Sequence, residues 1–496
     1  MTDTSKSSPP RRALSAGVWT AGERVISQIS QLVVFIAAAR ILSPAEFGVF
    51  ALTSACAILL LRVAEVGWAQ YIMSWSGSSD VPRQVLLIAM CCGALMMVFG
   101  AVVGQSLNFI GFGTSTANLV TLFAFWVLLA TTSSAQKGIL IWQNKLRSSA
   151  VCEITGEFGG LIVALAALLS GFGVFALVFG RITMQTLHII FSFSFTRLTP
   201  MRGLGAAQMK DLKTFSFQIF SSTMIINLRL YAATFIIGGF LGAAAVGYYR
   251  AAERLVGALA EVVGVPANVL AWSLFRQSRE AHNGSIDGFQ EQANSFFHVL
   301  VMASLPVFIW VSVLGQELIV GLLGPEWLPA FPVVMILAFA RCLMMPGMAA
   351  EPILSLAGEI RRLPKFAICF LMATVGPTVA AGPYGMIAVA WSQVAVAVFI
   401  SISMLWLMHT YGGIRWKTVA YRIRHLIVPI SCATALLVFL RNSALLADFS
   451  PLLRIVAASV PVLAVYAILL SLLDPAIRKL ALGRLSQTRA KRQGTA

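Results

Sequence analysis

Long apolar runs alternate with short polar segments along the whole chain. Fourteen of these runs approach the length that a helix needs to cross a membrane, about 20 residues. Their approximate cores are 15–39, 47–69, 84–106, 117–135, 149–169, 172–195, 214–239, 244–270, 295–320, 331–352, 366–381, 384–408, 425–440 and 455–473. The pattern predicts an all-α polytopic membrane protein with about 14 transmembrane helices.

A short motif occurs twice, each time in the gap between two apolar runs. The segments 42–50 and 241–249 share a leucine, an alanine, a glycine and a final aromatic residue at an offset of 199 positions. A second pair, 173–176 and 385–388, is offset by 212 positions. Two matches at nearly one offset indicate a duplicated unit of about 200 residues. Membrane transporters are often built from two such halves around a site at the midplane.

Composition supports the membrane class. Of the 496 residues, 58% are apolar and only 11% are charged, and the mean hydropathy is +0.84. No soluble globular class has that balance. The net charge of +17 could suggest nucleic acid, but the basic residues lie in short clusters between apolar runs, which is typical of loop charges. The seven cysteines lie in or beside apolar runs and indicate core residues rather than disulfides or a metal site.

The loop charges predict the orientation of the chain. When both termini are placed in the cytoplasm, only Arg40, Arg441 and Arg454 of the 36 Lys and Arg fall in external loops. One missed helix would reverse the later loops and remove this bias. The basic tail from Arg478 to Arg492 is expected to anchor the topology and to contact anionic lipid head groups. Within the loops, the alternation of apolar and basic residues at 136–148 predicts a helix lying on the membrane surface.

Seven arginines lie inside the apolar runs, where a central arginine facing lipid costs about 2.5–3.5 kcal/mol. They are Arg24, Arg62, Arg181, Arg229, Arg250, Arg254 and Arg341. Most must therefore face protein or water. Arg62 and Arg250 are near the ends of their runs, and we expect them to snorkel or to form local ion pairs.

The deep arginines have two interpretations, a hydrated cationic cavity or structural ion pairing. Candidate counter-ions or coupling carboxylates are Glu23, Glu65, Glu157, Glu253 and Glu261. Arg181, Arg229 and Arg341 have no carboxylate nearby in their own runs, so they need partners from another helix or an anionic ligand. Because the guanidinium fork suits phosphate oxygens, the candidate substrate-binding residues are Arg24, Arg181, Arg229, Arg254 and Arg341.

Five short segments carry a resemblance to a known family when they are taken in order: Ala39–Gly48, Gly171–Val178, Phe240–Tyr249, Leu323–Pro329 and Ala357–Arg362. They resemble the corresponding segments of the lipid-linked oligosaccharide flippases, and the similarity spans about residues 15 to 410. These flippases belong to the polysaccharide transporter branch of the multidrug/oligosaccharidyl-lipid/polysaccharide (MOP) superfamily. Relatives often carry an aspartate about eight positions before the second Leu-Gly. Here that position is Ala233, which puts a cation-coupling role of that helix in doubt.

The resemblance implies two pseudo-symmetric six-helix lobes around a central cavity, followed by two C-terminal helices. The corresponding regions are a basic N-terminus (1–12), an N-lobe with helices 1–6 (13–196), an inter-lobe loop (197–213), a C-lobe with helices 7–12 (214–410), helices 13–14 (411–474) and a basic cytoplasmic tail (475–496).

The resemblance also implies a function in the bacterial inner membrane. The protein would move undecaprenyl-diphosphate-linked oligosaccharide from the cytoplasmic to the periplasmic leaflet by alternating access, for O-antigen or exopolysaccharide synthesis. Its partners would be that lipid-linked oligosaccharide, anionic membrane lipids, and glycan polymerase and export machinery, but not nucleic acid. No cofactor and no metal is implied, and coupling to H+ or Na+ stays open.

Three alternatives remain. A cation-coupled multidrug exporter of the same superfamily would use deep carboxylates, for which Glu157 and Glu261 qualify. A membrane glycan polymerase or ligase would carry a large external loop, whereas the longest predicted external loop here is about fourteen residues, Arg441–Arg454. The sequence also contains no phosphate-binding loop ending in Gly-Lys-Ser/Thr and no Asp-x-Asp pair. A structural scaffold leaves the buried arginines unexplained.

Overall fold

The computed structural model describes residues 9–111, 113–446 and 448–474. For residues 9–21 and for Arg24 it describes the backbone only. The predicted basic N-terminus lies partly, and the basic tail wholly, outside these described residues. Within them the chain is helical and contains no β-strand, as the all-α prediction requires.

Among the described residues as far as 241 there are eight α-helices. They are α1 (Pro9–Ile41), α2 (Pro44–Glu65), α3 (Trp68–Ser74), α4 (Asp80–Phe109), α5 (Thr114–Trp142), α6 (Leu146–Leu169), α7 (Phe175–Thr196) and α8 (Ala206–Leu241).

The structure describes nine further α-helices between residues 243 and 474, several of them joined by short 3-10 helices. They are α9 (Ala243–Ala281), α10 (Phe289–Leu322), α11 (Phe331–Met344), α12 (Ala350–Leu356), α13 (Leu363–Ala381), α14 (Met386–Gly412), α15 (Trp416–Ile423), α16 (Ile427–Asn442) and α17 (Pro451–Leu473).

The helices confirm the predicted spans in chain order. In the described part of the chain, thirteen helical segments are long and apolar enough to cross a membrane, and α1 contributes a shorter apolar stretch, Val25–Ile41. Three of these segments contain two α-helices each, namely α2 with α3, α11 with α12, and α15 with α16. The chain is therefore a multi-pass membrane protein. The cytoplasmic placement of both termini stays a prediction.

The segment 136–148 differs from the prediction of a surface helix. Helix α5 continues to Trp142, and α6 begins at Leu146 after a tight turn. The charged residue that suggested a surface position, Lys137, is instead paired inside the protein with Glu23 and Glu153. The prediction was wrong because the charge has partners on other helices.

A sharp bend separates α2 from α3. Val66 and Gly67 both have positive φ angles, 24° and 84°, a backbone conformation that residues other than glycine rarely adopt. A Cβ on Gly67 would also lie 2.9 Å from the side chain of Ile219 on α8. Gly67 therefore allows the chain to turn, and its lack of a side chain allows α8 to pack closely against the bend.

The helices group into two compact units, one ending at Gly247 and the other beginning at Tyr248. In the first unit α8 packs against α2 and α3, and α6 packs along α7. In the second unit α10 packs against α11 and α17, and α11 against α14. The sequence-based lobe boundaries at 197–213 and 410 stay predictions.

The two copies of the repeated motif contact each other within the first unit. At the first copy, Ser43 caps α2 in a capping box with Glu46, in which each residue's side chain accepts the other's backbone N–H. A Cβ on Gly48 would lie 1.8 Å from the carbonyl oxygen of Ala243, and a Cβ on Gly247 would lie 2.0 Å from that of Pro44. The contact is reciprocal, so both glycines of the motif allow the backbones of α2 and α9 to touch.

Side-chain bonds hold the C-terminal helix pair onto α10 in the second unit. The Arg441 guanidinium donates to Glu317 (3.0 Å) near one end of α10. The buried His298 lies 2.5 Å from the carboxylate of Asp474 near the other end. Between them, Trp310 donates to Ser459 (2.8 Å). The bonds run along most of α10, so α16 and α17 are fixed parts of this unit.

Candidate functional site

Glu157 is the most buried carboxylate among the described residues of the first unit. It lies on α6 and is only 7% exposed. Ser27 donates to its Oε1 at 2.5 Å, and the Gln31 amide donates to the same oxygen at 3.4 Å. Arg181 is within electrostatic range of this carboxylate. The two hydrogen bonds and the nearby guanidinium compensate for the burial of the Glu157 carboxylate.

A second polar cluster of the first unit centres on Glu153, one turn before Glu157. Lys137 on α5 lies 2.7 Å from Glu153 and 3.2 Å from Glu23 on α1. His188 on α7 is almost fully buried, with Nε2 3.6 Å from Glu153 and Nδ1 2.9 Å from Ser133. The sequence indicated Glu23 as a candidate counter-ion, but it did not indicate Lys137, Glu153 or His188 as its neighbours. The four-residue spacing of Glu153 and Glu157 indicates that both carboxylates lie on the same face of α6.

Arg181, on α7, is surrounded by three aromatic rings that form a cage. Its guanidinium carbon is 5.3 Å from the ring centre of Phe50, 5.7 Å from that of Phe123 and 5.6 Å from that of Trp126. Aromatic faces attract a cation at these distances. The cage holds the Arg181 charge in place by packing as well as by electrostatics.

Arg62 and Glu65 form the local ion pair that the sequence predicts for them. The two side chains are three residues apart on α2 and are in direct contact, and Ser134 on α5 also donates to Glu65. Both belong to the first unit. The ion-pairing interpretation of Arg62 is therefore confirmed.

In the second unit one carboxylate is shared between two arginines. The Oε2 of Glu253 lies 2.5 Å from Arg250, its partner one turn earlier on α9. Its Oε1 lies 3.7 Å from Arg341 on α11. Arg250 is thus locally paired, as expected, whereas Glu253 reaches across to a second helix. Arg254 follows on α9, within electrostatic range of Arg250 and Glu261.

Arg341 is held by fewer contacts than Arg62, Arg181 or Arg250. Its distance of 3.7 Å from Glu253 is too long for a hydrogen bond, and no residue in the described part of the chain accepts one from its guanidinium. Its side chain is 38% exposed, although it lies in the middle of the apolar segment Pro325–Leu356. Arg341 therefore retains donor capacity for an anion.

The predicted site residues are distributed over both units. Arg341 and Glu253 come together in the second unit, where Arg254 is within electrostatic range of Arg250 and of Glu261. Arg181 and Glu157 come together in the first unit. Arg229 is half-buried on α8, between the exposed Leu228 and Leu230. The side chain of Arg24 lies outside the described residues.

This chain is similar in sequence to a transport protein and similar in fold to two solved transporter structures. ExoT of Rhizobium meliloti, a succinoglycan biosynthesis transport protein, is 22% identical over 342 residues, or 68% of each chain. The structure of the lipid II flippase MurJ in an inward closed conformation aligns with a TM-score of 0.68 at 14% identity and covers 94% of this chain and all of that one. An inward-facing multidrug resistance MATE transporter of the MOP superfamily aligns with a TM-score of 0.62 at 13% identity, over 78% of this chain and 95% of the other.

The family assignment rests on the sequence profile together with these similarities. The profile described as polysaccharide biosynthesis protein matches residues 37–332, which include both copies of the repeated motif and all of α2 to α10. The similar proteins are transporters and flippases by name, not enzymes. The chain therefore belongs to the polysaccharide biosynthesis protein family, and it has the fold of the MOP superfamily transporters, as the motif resemblance predicted.

Proposed function

We propose that this protein is a flippase for undecaprenyl-diphosphate-linked oligosaccharide in the bacterial inner membrane. It moves the lipid-linked sugar from the cytoplasmic to the periplasmic leaflet by alternating access, for O-antigen or exopolysaccharide synthesis. The family assignment and the name of ExoT, a transport protein of succinoglycan biosynthesis, support the glycan. The name of MurJ, a lipid II flippase with the same fold, supports a lipid-linked substrate.

The observation that carries the proposal is the arrangement of Arg341, Glu253 and Arg250. Two guanidiniums share one carboxylate, so the group has an excess of positive charge inside a segment that crosses the membrane. Such a charge needs water or an anion near it. A diphosphate carries several oxygens in the geometry that a guanidinium binds with two parallel hydrogen bonds.

The two contact distances support a different role for each of these groups. Arg250 holds Glu253 through the short contact and keeps the carboxylate fixed on α9. Arg341 has the longer contact and is the guanidinium that turns to the diphosphate, with Arg254 as a second cation on α9. Since these cations lie on two helices, a bound diphosphate links α9 to α11. Substrate thereby stabilises any state in which the two helices are close.

The remaining candidate residues give less direct support for a diphosphate substrate. The caged charge of Arg181 contributes a long-range positive potential in the first unit, and the roles proposed for Arg24 and Arg229 are of the same kind. Glu157 and its partners are satisfied by hydrogen bonds, which favours a structural role over that of a coupling carboxylate.

The proposal is tested by deleting the gene and complementing the strain. Deletion should cause lipid-linked oligosaccharide to accumulate on the cytoplasmic leaflet and surface or secreted polysaccharide to be lost. Wild type should restore the polysaccharide and Arg341→Ala should not. Arg276→Ala is the matched control, because Arg276 is exposed and paired with Glu280. A deletion strain that loses only drug resistance would contradict the flippase assignment in favour of an exporter.

A further inference from the structure

A basic helix at one edge of the second unit has no role in the proposed transport site. Helix α15 (Trp416–Ile423) and the turn after it connect two spans, α14 and α16. The segment carries four exposed cations, Arg415, Lys417, Arg422 and Arg424. Between residues 360 and 447 the sequence contains no Asp or Glu, and no carboxylate of the described residues forms an ion pair with these four.

One face of α15 is fixed to the rest of the unit. The Trp416 ring lies 5.0 Å from that of Phe297 on α10, and its indole N–H donates to the Leu405 carbonyl on α14. Val419 and Leu426 are buried along the same stripe. At the start of the helix, the Arg415 backbone N–H donates to the Gln290 side chain (2.5 Å). The helix is therefore held in one orientation, and its basic face points away from the protein.

The opposite face changes from cationic to apolar within a single turn. Lys417, Tyr421 and Arg424 follow one another along one line of the helix, and Tyr421 is 62% exposed. Arg424 donates to the Tyr421 hydroxyl at 2.8 Å, which orients its guanidinium. Three residues later, Ile427 is 62% exposed at the start of α16. Three residues of helix rise about 4.5 Å, so the Arg424 guanidinium lies at head-group depth when Ile427 is in the hydrocarbon.

We propose that α15 is a binding surface for anionic phospholipid, with Lys417 and Arg424 as the main contacts to the head-group phosphates. Exposed apolar side chains below a row of cations match the layers of an anionic bilayer surface, with acyl chains beneath charged head groups. A water-soluble acidic partner would satisfy the cations but not the apolar residues beside them. The surface belongs to the side of the membrane on which α10 begins and α14 ends.

The test uses the full-length protein purified in detergent and titrated with phosphatidylglycerol or phosphatidylcholine, with thermal unfolding as the readout. Phosphatidylglycerol should raise the unfolding temperature of wild type, and phosphatidylcholine should not. For Lys417→Gln/Arg424→Gln the apparent Kd for phosphatidylglycerol should rise about 30-fold, since each cation contributes about 1 kcal/mol at an anionic surface. The charge-preserving variant Lys417→Arg/Arg424→Lys should bind nearly as wild type does.

The matched control is Arg276→Gln/Arg279→Gln, which removes the same charge from the end of α9. That helix has 39 residues and is about 58 Å long, so its last turn extends beyond the hydrocarbon core of about 30 Å. The control should keep the wild-type lipid response. If it loses as much affinity as the α15 variant, or if inorganic phosphate replaces the lipid, the proposal is wrong.

A second measurement does not depend on the stability of the variants. A photoreactive phenylalanine analogue replaces Tyr421 in protein embedded in nanodiscs of phosphatidylglycerol and phosphatidylethanolamine. The lipid adducts should contain phosphatidylglycerol well above its mole fraction. Adducts in proportion to the lipid mixture would overturn the proposal, as would the capture of an acidic protein in native membranes in place of lipid.

Discussion

At the scale of single residues, the arginines within the spans are held in three different ways. Arg62 has a carboxylate on its own helix, Arg181 has an aromatic cage, and Arg341 has one distant carboxylate and substantial exposure. Loss of a caged or paired charge disturbs packing, whereas loss of the Arg341 guanidinium removes few internal contacts. The three are therefore expected to differ when substituted.

Arg341→Ala should reduce transport without reducing the amount of folded protein. Removing one charge-assisted hydrogen bond to diphosphate, about 1.5–3 kcal/mol, weakens substrate capture about 10- to 150-fold. Arg341→Lys should recover only part of this loss, because an ammonium group cannot form the bidentate contact. Transport rates at low substrate, normalised to protein abundance, provide the measurement. Full activity of the alanine variant would show that Arg341 is not a substrate ligand.

Gly48→Ala should destabilise the first unit. The added Cβ would lie 1.8 Å from the Ala243 carbonyl, so α2 and α9 must separate, at a cost of about 1–3 kcal/mol. Gly239→Ala is the control, since nothing lies within 4 Å of a Cβ there and alanine favours a helix by about 0.5–1 kcal/mol. Thermal unfolding of the purified variants should order them Gly239→Ala, wild type, Gly48→Ala. The same midpoint for both variants would refute the reciprocal contact.

At the scale of helices, the pairs that join them set the arrangement of each unit. The buried contact of His298 with Asp474 fixes the end of α17 to α10. Asp474→Leu should destabilise the protein by about 3–5 kcal/mol, because His298 is left buried without this partner. His298→Leu/Asp474→Leu should recover much of that stability. If the two single losses simply add in the double variant, as a double-mutant cycle would show, the residues are not coupled.

The sequence patterns predicted those structural features that depend only on residues close together in the chain. The spans follow from apolar runs, and the Arg62–Glu65 pair follows from a spacing of three residues. The partners of Lys137 on α1 and α6 could not be predicted, because they depend on how three helices are rotated against each other. The same limit applies to the shared carboxylate Glu253, whose contact with Arg341 joins residues 88 positions apart.

At the scale of the whole molecule, the even number of spans predicts that both termini share one side of the membrane. Reporter fusions after Gln493 and at Gly205 should show a cytoplasmic location, and a fusion at Ser443 should show an external one. The physical reason is the bias of Lys and Arg towards cytoplasmic loops. An external signal from the fusion at Gln493 would mean that one helical segment does not cross the membrane.

Transport by the purified protein tests the central claim most directly. Proteoliposomes would carry a fluorescent polyprenyl-diphosphate oligosaccharide, and a membrane-impermeant quencher would report how fast the label changes leaflet. Wild type should accelerate the exchange well above protein-free liposomes, Arg341→Ala should slow it at low substrate, and Arg276→Ala should match wild type. A neutral glycolipid of the same chain length should not be moved. Exchange no faster than in protein-free liposomes, or equal exchange of both lipids, would contradict the account.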